Sequence, residues 1–142
     1  MKKYNTLIRL HKRKLDALRR QVGDLEGQKA QLHKSIDSLR AEMKKEMELA
    51  GTQPEMANFF GQFAGRIKAR QDEIYQEIKE LDKKIFELNN QIIAIFQEMK
   101  KYEIAKENAI MKQKEKEKRK ETIELDEIAA QQFTRKNGED FL

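Results

Sequence analysis

Residues 50–58 read AGTQPEMAN, and this stretch decides the fold because it is the only strong break in the chain. Gly51 can end a helix by entering the left-handed region. Thr52 and Glu55 have the spacing of a capping box that starts the next helix. Pro54 is tolerated in a first turn but breaks a continuous helix, so one helix ends here and another begins. The expected layout is helix one over about residues 2–49, a turn over about 50–58 and helix two over about 59–133. Residues 134–142 are expected to be frayed or disordered.

Outward from the break, both flanks carry the same period. Upstream, alternating steps of four and three give Tyr4, Ile8, His11, Leu15, Leu18, Val22, Leu25, Lys29, Leu32, Ile36, Leu39, Met43 and Glu46, ten of thirteen apolar. Downstream they give Phe60, Ala64, Ile67, Gln71, Ile74, Ile78, Leu81, Ile85, Leu88, Ile92, Ile95, Met99, Tyr102, Lys106 and Ala109, thirteen of fifteen apolar. A 3.5-residue repeat sustained this long keeps one stripe facing a partner helix, which is the pattern of a coiled coil. The fold class expected is all-α: a long two-helix antiparallel coiled-coil hairpin with an overhanging C-terminal helix segment, in a single domain.

Folding back about residue 55 sets Met43 against Ile67, Ile36 against Ile74, Leu32 against Ile78, Leu25 against Ile85, Leu18 against Ile92 and Leu15 against Ile95. A shift of one heptad satisfies the pattern as well, so the register stays open by that much. Lys29 stands at a seam position, where a lysine lowers stability and selects one pairing over others. By helical rise the first helix is roughly 70 Å long and the second over about 100 Å. Residue 1 then lies opposite about residue 109, and everything beyond has no partner within the chain.

Composition agrees with long helices. Of 142 residues, 39% are charged and 38% hydrophobic, with one proline, six glycines and no cysteine. Disulfide staples and thiolate metal sites are excluded. No apolar run approaches the ~20 residues needed to span a bilayer, and MKKYNTLIRLHKRK lacks the apolar core of a secretory signal, so a soluble intracellular protein without membrane insertion is expected. His11 and His33 lie about 33 Å apart along one helix and cannot share a metal. No phosphate loop, nucleophile elbow or metal-ligand motif is present, and a two-helix seam offers no pocket that excludes water. A non-enzyme without cofactor or metal is expected, with His11 as a polar residue tolerated in the seam.

Three features stand outside the seam. Residues 1–20 hold Lys2, Lys3, Arg9, Lys12, Arg13, Lys14, Arg19 and Arg20 against Asp16 alone. With KQKEKEKRKE at residues 112–121 and the off-seam Leu7, Leu10, Ile104 and Ile110, they suggest a basic docking head at the open end. The bland reading of 112–121 is a solvated spacer helix, with Glu115 paired to Lys118 or Arg119 and Glu117 to Lys120. At the other end, Met47, Met56, Phe59, Phe60 and Phe63 form either a plug closing the turn or an adaptable contact site. Last comes KETIELDEIAAQQF, residues 120–133, where Ile123, Leu125, Ile128, Ala129 and Phe133 return after the charged run.

Taken together, these features resemble the FliJ family, the small coiled-coil proteins of the bacterial flagellar type III export apparatus. The resemblance rests on length, the basic YNTLIRLHKRKLDAL start, the break near one third, Gln62-Phe63 before a long heptad helix, and the ending ELDEIAAQQF at residues 124–133. It implies a central stalk that inserts its helix ends into the export ATPase hexamer (FliI), contacts the cytoplasmic domain of the export gate (FlhA) and recycles export chaperones. On this chain it implies ring contacts at Arg9, Lys12, Arg13, Lys14, Lys116 and Arg119, overhang docking by Leu125, Ile128 and Phe133, and gate contacts at Met43, Met47, Phe63 and Ile67. It also implies a cytoplasmic monomer, peripheral to the inner-membrane export apparatus, that binds no nucleic acid. Injectisome stalks have the same shape. Two readings of other classes remain: a basic arm binding nucleic acid or the ribosome, and a structural coiled coil dimerising through residues 123–133.

Overall fold

The computed structural model describes the backbone of residues 1–140 and the side chains of residues 1–138. It is an all-α two-helix hairpin. Helix α1 spans Lys2–Thr52, a single 3-10 turn spans Pro54–Met56, and helix α2 spans Ala57–Asp140. α2 therefore continues past residue 133, where the sequence suggested its end, and Gly138 lies inside it. Residues 141 and 142, also expected to be frayed, lie outside the described residues.

The break is made differently from the sequence expectation. Gly51 stays within α1, and no described residue has positive φ. The helix stops because Gln53, the residue before Pro54, is extended at φ −127° and ψ 92°. A proline ring clashes with the preceding residue in the helical region and pushes it into this conformation. The capping box does not form. Thr52 Oγ1 donates back to the Leu49 carbonyl at 3.0 Å, and Gln53, the residue that starts the turn, makes no side-chain cap. The Met56 N–H donates to the Gln53 carbonyl at 3.0 Å, closing the turn into α2.

The contacts group into two units, each with segments from both helices. The turn unit is Lys12–Phe96, and the terminal unit is Met1–His11 with the chain from Gln97 onward. In the turn unit, Ile36, Ile74 and Ile78 form a buried cluster with Leu32 and Leu39 packed against it. Leu15, Ile67, Leu81 and Ile85 are buried along the same line. In the terminal unit His11 and Met99 are buried, with Tyr4, Ile8 and Tyr102 half-buried.

Every seam position named from the sequence, in both series, is buried or half-buried. The cause is the match between a 3.5-residue repeat and a helix that faces only one partner. The contacts also choose the register. Ile36 meets Ile74, Lys29 Nζ lies 2.7 Å from Asp82 Oδ1, and Arg40 Nη2 donates to Tyr75 Oη at 3.0 Å. The turn unit thus folds back about residue 55, without the one-heptad shift.

Candidate docking surfaces

The basic residues of α1 project outward because the seam takes the residues between them. Ile8, His11 and Leu15 face inward, while Arg9, Lys12, Arg13 and Lys14 are exposed. Lys116 and Arg119, one turn apart on α2, are exposed as well. Among the described residues, Glu115 and Glu117 form none of the expected pairs with Lys118, Arg119 and Lys120, whereas elsewhere in α2 Arg70 pairs with Glu73 and Glu77, and Lys100 with Glu103. Of the off-seam apolar residues at this end, Leu10 and Ile104 are exposed, whereas Leu7 and Ile110 are half-buried.

His11 is more than a tolerated seam residue. The residue is 6% exposed, with Nδ1 2.8 Å from the Leu7 carbonyl oxygen and Nε2 3.0 Å from Glu98 Oε2. A carbonyl only accepts, so Nδ1–H donates to Leu7. The bond at Nε2 then needs a second proton, either on the ring or on the carboxyl group. Tyr102 covers the ring with its centroid 5.2 Å away. The contact of His11 with Glu98 is a polar link between the two helices within the terminal unit. No feature of the sequence distinguished Glu98 from the other exposed glutamates.

Near the turn, the structure divides the expected contact residues. Ile67 is only 6% exposed and belongs to the seam, while Met43 and Phe63 are half-buried. Met47 is 63% exposed and Phe59 67%, with Leu49 and Met56 also exposed. Phe60 and Phe63 line a shallow depression with Met56, Phe59, Glu46 and Arg66. Phe60 and Phe63 are thus half-buried at the turn, while Met47, Met56 and Phe59 face water.

Farther along α2, Phe86 and Ile93 are exposed off the seam. This outer face was missed. The available signal was the ten-residue run LNNQIIAIFQ, residues 88–97, which carries no charge in a chain otherwise dense in charge.

From residue 111 to residue 138 every side chain is exposed, although the helix is unbroken. Leu125 is 66% exposed and Phe133 68%, with Ile123 and Ile128 also facing solvent. Leu125, Ile128, Ala129 and Phe133 stand at spacings of three, four and eight from Leu125, the pattern of one amphipathic face. Ile123 falls on the continuation of the seam line instead.

The family model described as the flagellar FliJ protein matches residues 1–138. The chain belongs to the FliJ family. Neither the curated proteins nor the solved structures contain a match to it. FliJ membership makes it a component of the flagellar export apparatus. The match includes the exposed stretch of α2 over residues 111–138. Among the described residues no helix of this FliJ-family hairpin is long and apolar enough to cross a membrane.

Proposed function

We propose that this FliJ-family chain is the non-catalytic stalk that couples the flagellar export ATPase to the export gate. The observation that supports this most is the long exposed run of α2, residues 111–138, with an apolar face at Leu125, Ile128 and Phe133. Leaving that face in water gains nothing for the fold, whereas a partner groove would bury it as an amphipathic helix is usually bound. Arg9, Lys12, Arg13 and Lys14, with Lys116 and Arg119, supply the charge that steers the helix ends into an acidic-lined hexamer of the export ATPase. Near the turn, exposed Met47 and half-buried Met43 and Phe63 suit an adaptable contact with the cytoplasmic domain of the export gate. Ile67 supports that contact from beneath, by holding α2 against α1. Export chaperones would dock on the overhang when it is not in the ring.

Such a part acts by differential binding. It contributes no reacting group, and it biases the ring only if it binds one nucleotide state better than another. The test is co-sedimentation with the cognate flagellar export ATPase, with ring assembly and turnover read together. Binding that promotes hexamers and raises turnover is expected. Absence of binding at low and moderate salt, or binding that leaves turnover unchanged, would remove the coupling role.

A further inference from the structure

The charges along the exposed part of α2 are sorted into blocks. Residues 112–120, KQKEKEKRK, hold six cations against two carboxylates, a net charge of +4. Residues 121–129, ETIELDEIA, hold four carboxylates and no cation, a net charge of −4. The blocks are equal in length, adjacent, and exposed on one continuous helix.

We propose that this segment is a self-complementary docking surface, taken by the same segment of a second copy of the chain running antiparallel. Parallel pairing would set basic block on basic block and acidic on acidic. Antiparallel pairing sets each basic block on the other copy's acidic block, and a two-fold axis makes both contacts at once. Charge complementarity therefore selects both the occupant and its direction.

The seam spacing supports the same axis. Carried on from Ala109 in steps of four and three, the line passes Gln113, Lys116, Lys120, Ile123, Glu127 and Ala130. A two-fold midway between residues 121 and 122 sets Lys116 against Glu127 of the second copy, Lys120 against Ile123 and Gln113 against Ala130. These are the same a-against-d layers that the hairpin uses. The aliphatic stem of Lys120 lies over Ile123 while its ammonium reaches water. On one flank Arg119 meets Asp126; on the other Glu117 meets Glu124 and opposes the contact. The result is a shallow, mainly electrostatic interface that salt weakens. Leu125 and Ile128 fall off this line and stay free for another partner. Lys116 and Arg119 are covered, so self-association and any use of those two cations elsewhere exclude each other. The dimer is a property of this chain alone, and its test does not depend on the export machinery.

The experiment is sedimentation velocity on the full chain over a concentration series at low and high salt, with circular dichroism to verify helicity of each variant. Reversible dimers at low salt that dissociate at high salt are expected. Lys116→Glu alone and Glu127→Lys alone should each raise the dimer dissociation constant about tenfold or more, because like charges then face each other. The double variant carrying both changes should recover the dimer, as should an equimolar mixture of the two single variants. A chain that stays monomeric at low salt overturns the proposal. So does a dimer that survives both single substitutions, which would mean that another surface, such as the basic start of α1, holds the acidic block. Weakened single variants without recovery in the double variant would overturn the antiparallel pairing.

Discussion

His11 Nε2 lies 3.0 Å from Glu98 Oε2 across the seam, while Nδ1 of the same ring lies 2.8 Å from the Leu7 carbonyl oxygen. The ring is buried and both of its nitrogens are satisfied, so Glu98 and His11 form a unit. Removing the exposed Glu98 is costlier than removing the buried ring. Glu98→Ala strands a buried ring nitrogen and should destabilise the protein by about 1–3 kcal/mol in denaturant unfolding. His11→Leu removes the need for a partner and should be near neutral or stabilising, because the site is a buried seam position beside Tyr102. Equal losses from the two substitutions would show that the bond makes no difference to stability.

Lys29 reaches Asp82 from a half-buried seam position. The hydrogen bond to Asp82 raises the Lys29 pKa above its usual value, with attraction to Asp82 and Glu26 adding to it and burial opposing. A raised pKa in the folded state means that the pair's contribution is fully present below the unfolded lysine pKa and is lost as pH climbs through the folded one. A pH titration of the melting temperature should therefore show no Lys29-dependent change near neutrality and a decline on the alkaline side of the ordinary lysine range. Lys29→Leu should remove that decline and raise the melting temperature at neutral pH, since an apolar residue suits a seam position better than an ammonium.

Ile36 and Ile74 are the centre of the packed cluster in the turn unit. Ile74→Ala leaves a cavity between two helices that have no third layer to collapse into it. A loss of about 2–5 kcal/mol is expected in chemical denaturation. Phe86→Ala removes a larger side chain from the exposed outer face and should stay within about 0.5 kcal/mol of the parent. Comparable losses at the two sites would mean that the outer face is packed in solution.

Truncation after Lys120 removes an exposed helix and no seam residue. The thermal midpoint of the hairpin should be nearly unchanged while binding to the export ATPase weakens. Reversing charge at Arg9, Arg13 and Lys14 should abolish ring association with helicity intact. A large fall in melting temperature on truncation would place the overhang against the hairpin in solution. Unaltered ring binding after charge reversal would take the α1 cations out of the docking head.

The hairpin, its seam and the position of its break were legible in the residues because each is a local or periodic property. A 3.5-residue repeat assigns Leu15, Ile36, Ile74 and Ile85 to one face of a helix whatever the partner is, and Pro54 cannot stand inside a continuous helix without breaking it. The end of the seam near residue 109 followed from the unequal lengths of the two series, and with it the exposure of Leu125, Ile128 and Phe133. The tertiary structure decided what periodicity leaves degenerate. A heptad line is unchanged by a seven-residue slip, so only packing of Ile36 on Ile74 and the reach of Lys29 to Asp82 chose the register. Likewise, Gln53 rather than Gly51 marks the break, because the proline constraint falls on the residue before it. Glu98 stood out only when His11 was seen beneath it, since a hydrogen bond between residues far apart in the chain leaves no trace in the spacing of either.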